Sequence, residues 1–123
     1  MNTLYRVGCW ILALGLLLLG VSGMAVPEFQ SGIYGVPTTE PTWVSATSLR
    51  DVVLGIMAIG FIVKQPDAMR TFLPAMVLVP LADVVFVLLW GDSVWGITPH
   101  ALGTVVIVVL AILSRTCSLS PDG

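Results

Sequence analysis

The stretch VVLGIMAIGFIVKQPDAMRTFLPAMVLVPLADVVFVLLW, residues 52–90, decides the fold. Two apolar runs flank a short polar turn from Lys64 to Arg70, and the second is long enough at 1.5 Å per residue to cross the ~30 Å of hydrocarbon in a bilayer. Apolar, charged, apolar again: this is the pattern of a membrane hairpin. Pro74 and Pro80 lie within the second run, where each removes a backbone donor and bends a helix, which is tolerated when neighbouring helices satisfy the freed carbonyls.

Working outward, the chain offers four such runs, roughly 5–26, 46–64, 70–90 and 99–115. The second is the weakest, because its uninterrupted apolar part runs only from Val52 to Val63. Of the 123 residues, 57% are hydrophobic and 10% charged, against roughly 25% charged in a soluble domain, and the mean hydropathy is +1.02. The expected fold is therefore an all-α membrane protein, a single antiparallel bundle of four transmembrane helices over residues 1–123 whose first partner is the lipid bilayer. A formal charge of −2 with no basic run and no glycine-rich phosphate loop sets nucleic acid aside as a partner, and no cofactor is implied. Cys9 and Cys117 lack metal-ligand spacing and read as inert thiols, so no metal site is expected.

Charge gives the orientation. Arg6, Lys64, Arg70 and Arg115 all fall on one side of a chain that crosses four times, and that side is expected to be cytoplasmic, with both termini inside the cell membrane. The opposite side holds the loop 27–45 and the turn around Asp92, free of Lys and Arg. Trp43, Trp90 and Trp95 mark the outer boundary, with Tyr5 and Trp10 near the inner one. A competing layout for residues 1–25 is a cleavable signal peptide: a basic start, an apolar core and small residues at Gly23 and Ala25. Against it, Gly8, Gly15 and Ser22 recur every seven positions, a seam for close helix contact that a discarded peptide does not need.

The chemistry gathers at the outer side. Arg50 is the one cation not on the basic side, placed at the start of span two where the helix dipole disfavours it. Asp83 lies about 20 Å along span three from Arg70, and a carboxylate at that depth costs ~2.5–3.5 kcal/mol, so it should face the bundle interior and find a partner. Arg50 is the obvious one. Span four opens with ITPHALGT, in which Thr98 reads as the N-cap and Pro99 as the first helical residue, putting His100 at the outer end as well. Each has a plainer reading. Ser48-x-x-Asp51 matches a capping box, Arg50 can snorkel to headgroups, Asp83 can be half of a structural ion pair, and His100 can be a cap. In the loop 27–45, FQSGIYGVPTTEP turns repeatedly; the sequence leaves open whether it folds back over the outer mouth, bringing Glu28, Gln30 and Tyr34 toward the polar group, or is a plain connector.

GIYGVP after span one, RDVVLG opening span two, LADVVFVLLWG in span three and PHALG opening span four together resemble domain-of-unknown-function family 4267, small membrane proteins of bacteria and fungi. The likeness covers residues 5–115. More distantly the plan is similar to DoxX-like membrane proteins. The resemblance implies the four-helix fold and points to Arg50, Asp51, Asp83 and His100, without supplying an activity. In the family a small residue usually precedes the Arg-Asp pair; Leu49 departs from this, which bears on how closely spans one and two approach.

Three functions fit these letters. The first is an enzyme acting on a small lipophilic substrate, with Asp83 and His100 transferring protons and Arg50, Asp51 and Tyr34 holding the substrate, in an isomerisation, cyclisation or epoxide opening. The second is a proton-coupled carrier or solute-binding protein, which at this size requires a homodimer; small multidrug exporters of similar length use a glutamate in the first span, and residues 7–26 contain no acid. The third is a structural subunit whose polar cluster pins helices together.

Overall fold

The computed structural model describes residues 2–35, 41–91 and 94–117, apart from the side chains of Asn2, Tyr34 and Pro41. Among the described residues six α-helices follow one another: α1 (Asn2–Ala25), α2 (Pro27–Tyr34), α3 (Pro41–Lys64), α4 (Met69–Met76), α5 (Leu78–Trp90) and α6 (Ile97–Leu113), with single 3-10 turns at Pro66–Ala68 and Val94–Gly96. No strand occurs among the described residues. Four continuous stretches are long and apolar enough to cross a membrane: Thr3–Ala25, Thr42–Lys64, Pro66–Trp90 and Val94–Leu113. Their outward faces carry bare aliphatic side chains, Leu18 at 70% exposure and Leu88 at 62% among them. Such surface is costly in water and is what a hydrocarbon-facing helix presents, so the chain is a multi-pass membrane protein built as a four-helix bundle.

The third crossing is bent where the prolines lead one to expect. The helix breaks at Val77, whose N–H turns back to the Pro74 carbonyl at 3.3 Å in a tighter turn. Pro80 has no N–H for the carbonyl of Met76 and its ring crowds that carbonyl, which places the break one turn ahead of it.

Several local expectations are corrected. Of the segment 27–45 read as a loop, Pro27–Tyr34 forms α2, opened by Pro27 and Glu28 in its first turn, and Pro41 already begins α3. Helix α2 closes at Gly35, whose φ of 64° is left-handed and whose N–H reaches the Ser31 carbonyl at 3.1 Å. Helix α3 starts at Pro41 rather than at residue 46, so Ser48 and Asp51 stand in its second and third turns and cap nothing. Helix α6 runs on from the 3-10 turn with Gly96 before it, and Thr98 makes no cap. Glu28 is exposed, whereas Gln30 is buried. Residues 36–40 and 92–93 lie outside the described residues.

Helices α1 and α3 pack along their length, but not through Gly8, Gly15 and Ser22. Gly20 and Gly23 of α1 and Gly55 of α3 make the close approach: a Cβ on Gly55 would stand 2.9 Å from both the Ala13 carbonyl oxygen and the Leu17 nitrogen. Leu49 is exposed, so it does not set this spacing.

At the end of the bundle where Arg6, Lys64, Arg70 and Arg115 are exposed, Tyr5, Cys9, Met69, Leu73, Leu110 and Cys117 form a filled apolar core, with Phe61 and Phe72 edge to face at 5.2 Å beside it. Tyr5 belongs to this core rather than to an interfacial belt, and both thiols are free. We call this the basic end, and the opposite one the α2 end.

Candidate functional site

Each charged side chain of the site is aimed by its helix. On α5, Pro80, Asp83 and Val87 are the buried residues, spaced by three and then four positions, so one face turns inward and Asp83 is on it. On α6 the buried set is His100, Ile107 and Leu110. The Thr104 hydroxyl donates to the His100 carbonyl at 2.8 Å, fixing the turn that carries the imidazole. Helix α3 supplies neighbours of opposite sign, Arg50 and Asp51, the second fully buried.

The guanidinium of Arg50, 30% exposed, grips two carboxylates. It meets Asp83 as a two-pronged fork, Nη1 donating to Oδ1 at 2.7 Å and Nη2 to Oδ2 at 3.0 Å. Nε donates to Asp51 Oδ1 at 3.0 Å, with Nη2 equally close to that oxygen. The fork geometry is the strong form of an arginine–carboxylate contact. From the far side His100 Nδ1 lies 3.6 Å from Asp83 Oδ2, an ion pair when the imidazole is protonated. Three helices thus converge on one carboxylate: the Arg50, Asp83 and His100 cluster is present and buried within the bundle.

Two carboxyl groups, Asp51 and Asp83, thus share the one guanidinium of Arg50. Among the described residues no three His, Cys, Asp or Glu side chains are grouped to hold a metal ion.

The cluster is not packed shut. A cavity of about 260 Å³ adjoins it, with Arg50, Asp51, Asp83 and His100 in walls that are otherwise almost wholly aliphatic. An apolar chamber with a few convergent polar groups is the usual form of a small-molecule site. Ile33 of α2 reaches the cavity, so the segment after span one does fold back over the bundle. Tyr34 follows it in α2, but its side chain lies outside the described residues.

Gln30 and Ser48, each singled out in the sequence, meet in a pairing that the sequence does not indicate. The Gln30 amide and the Ser48 hydroxyl are buried without a hydrogen-bond partner, on α2 and α3 at the point where Gly23 of α1 passes them. A serine one turn before a buried Asp on a membrane helix was the available signal, masked by its match to a capping box. Such unpaired groups cost about 1–3 kcal/mol each, so this corner is less stable than its burial suggests.

No curated protein and no solved structure matches the chain. A family model described as a domain of unknown function, DUF4267, matches residues 13–114, which include Arg50, Asp51, Asp83 and His100. With four apolar crossings and a match over most of its length, the chain belongs to the DUF4267 family.

Proposed function

We propose that the protein is a membrane-embedded enzyme that moves protons on a small lipophilic substrate, with the basic end facing the cytoplasm and the site toward the outer leaflet. The observation that carries this reading is the apolar cavity with Arg50, Asp51, Asp83 and His100 converging on it. The two-pronged grip of Arg50 engages both oxygens of Asp83 and makes it an anchor. His100 is therefore the group that takes and returns the proton, Asp83 orients its imidazole, and Arg50 with Asp51 holds Asp83 in place. Tyr34, next to Ile33 in α2, is assigned a part in holding the substrate. Isomerisation suits this set best: a proton leaves the carbon beside a carbonyl for the imidazole, an enolate remains, and the imidazole returns a proton to a different carbon of the conjugated enolate or to its opposite face, with no change in oxidation level. Cyclisation and epoxide opening by water belong to the same acid–base class.

The test is deuterium exchange. Proteoliposomes in heavy water with medium-chain ketones are expected to incorporate deuterium beside the carbonyl, and His100→Gln to slow this by about 100-fold or more. Unaltered ketones and intact lipophilic epoxides, or exchange that survives His100→Gln in a folded protein, overturn the proposal. A second reading draws on the fork itself: Arg50 and Asp83 pin α3 to α5 and do nothing else. It predicts that Arg50→Gln with Asp83→Asn together are tolerated better than either alone.

A further inference from the structure

The cavity is closed at two ends and open along one side. At the α2 end, α2 crosses from α1 toward α6, Ile33 borders the cavity, and Gly35 meets Gly96 so closely that a Cβ on Gly96 would stand 2.8 Å from the Gly35 Cα. Toward the basic end α1 and α6 touch again, where a Cβ on Gly8 would stand 2.6 Å from Leu110 Cδ2. Between these closures the two helices part. Gly15 on α1 and Gly103 on α6 both border the cavity, and a Cβ built on either meets nothing within 4 Å. Ile11 and Val106 border it too while remaining 65% and 48% exposed, so this stretch of wall is continuous with the outer surface of the bundle. Around a membrane helix that surface is covered by hydrocarbon, not water.

From this we infer that the cavity is loaded sideways from the lipid, through the gap between α1 and α6 at Gly15 and Gly103. Its ligand is a small, uncharged, mostly apolar molecule with one oxygen-bearing group, the oxygen turned to the Asp83–His100 pair and the apolar body lying along the gap. A charged or strongly polar solute is selected against, because among the described residues α2 lies over the water-facing end and the open side faces hydrocarbon. At about 260 Å³ the chamber is smaller than the ~300–1,000 Å³ of pockets that enclose drug-sized ligands, so a longer chain leaves its tail in the gap. Gly15 and Gly103 determine specificity by having no side chain. The inference rests on the cavity being a ligand site, as proposed above, but not on the reaction performed there.

The experiment is photolabelling of the full chain in liposomes with a medium-chain ketone bearing an alkyl diazirine, and mapping of the labelled peptides. Labelling is expected on α1 around Gly15 and α6 around Gly103, displaced by excess of the same ketone without the diazirine. Gly15→Leu and Gly103→Leu, each of which extends into open space, are expected to keep the fold and to reduce displaceable labelling about tenfold or more. Displaceable labelling that neither variant reduces overturns the lateral route and leaves the proposed enzyme standing. Diffuse labelling of all lipid-facing helices with no displacement overturns the ligand site itself. Labelling that behaves as expected without any deuterium exchange supports this inference and removes only the enzymatic reading. A measurement on the unaltered protein stands beside the variants: with an open gap, competitor potency rises smoothly with tail length, whereas a sharp cut-off means an enclosed chamber and overturns the route.

Discussion

The two halves of this bundle are made from the same kinds of residue and solve different problems. At the basic end Tyr5, Cys9, Met69, Leu73 and Leu110 interlock with no charge among them, and α1 meets α6 at Gly8 and Leu110. At the α2 end the helices carry Arg50, Asp51, Asp83 and His100 inward, part at Gly15 and Gly103, and leave a chamber. The contrast teaches where stability resides and where it has been given up. Van der Waals packing, the main force between helices in lipid, holds the basic end without charges. At the other end it acts between α1 and α3 at Gly20 and Gly23 and between Gly35 and Gly96, while α3 is tied to α5 by one guanidinium and the carboxylate it grips.

The sharpest way to break that contrast is Asp83→Ala. It removes the carboxylate from the fork and leaves Arg50 half-buried with an incomplete partner set, at an expected cost of about 4 kcal/mol, measured by unfolding in mixed micelles. A cost no larger than that of an exposed substitution would show that the fork contributes little cohesion. Next comes Leu73→Ala in the filled core, expected to cost about 3 kcal/mol through the cavity it creates. Leu16→Ala, beside an existing chamber, should cost under half as much by the same melt. Equal losses at the two positions would mean that the halves are packed alike. Adding atoms should discriminate in the same sense. Gly55→Ala pushes a methyl against the α1 backbone and is expected to destabilise by about 2 kcal/mol, while Gly15→Ala, which meets open space, is expected to be close to neutral. The smallest effect has the opposite sign: Ser48→Ala deletes a buried hydroxyl without a partner and should stabilise by about 1 kcal/mol. A loss of stability there would mean that the hydroxyl is satisfied in the membrane.

Much of this is legible in the sequence alone. The break at Val77 follows from Pro80, and the meeting of Arg50, Asp83 and His100 follows from the cost of leaving a carboxylate in hydrocarbon without a partner. Other features were misread because one local pattern has two meanings. Ser48 and Asp51 carry the spacing of a capping box, yet Pro41 begins the helix earlier and turns the same residues into interior ones. Tyr5 near an apolar boundary looks like a belt residue, but Met69 and Leu110 cover it. The small residues at 8, 15 and 22 suggested one seam, and the structure puts them to three uses: Gly8 against Leu110, Gly15 beside the cavity, and Ser22 bonded back to the Leu19 carbonyl at 2.9 Å.

By itself the sequence determined that four helices cross a membrane, which end is basic, and which ionisable groups must find one another, since lipid imposes a large penalty on every unpaired charge and every unsatisfied backbone group. Only the tertiary structure decided which face of each helix turns inward, that α2 lies across one end, and that α1 and α6 separate at Gly15 and Gly103. The physical reason is that the hydrocarbon around the bundle is as apolar as its interior: burial leaves little signature along such helices, and the choice falls to shape, which exists only once the helices are assembled.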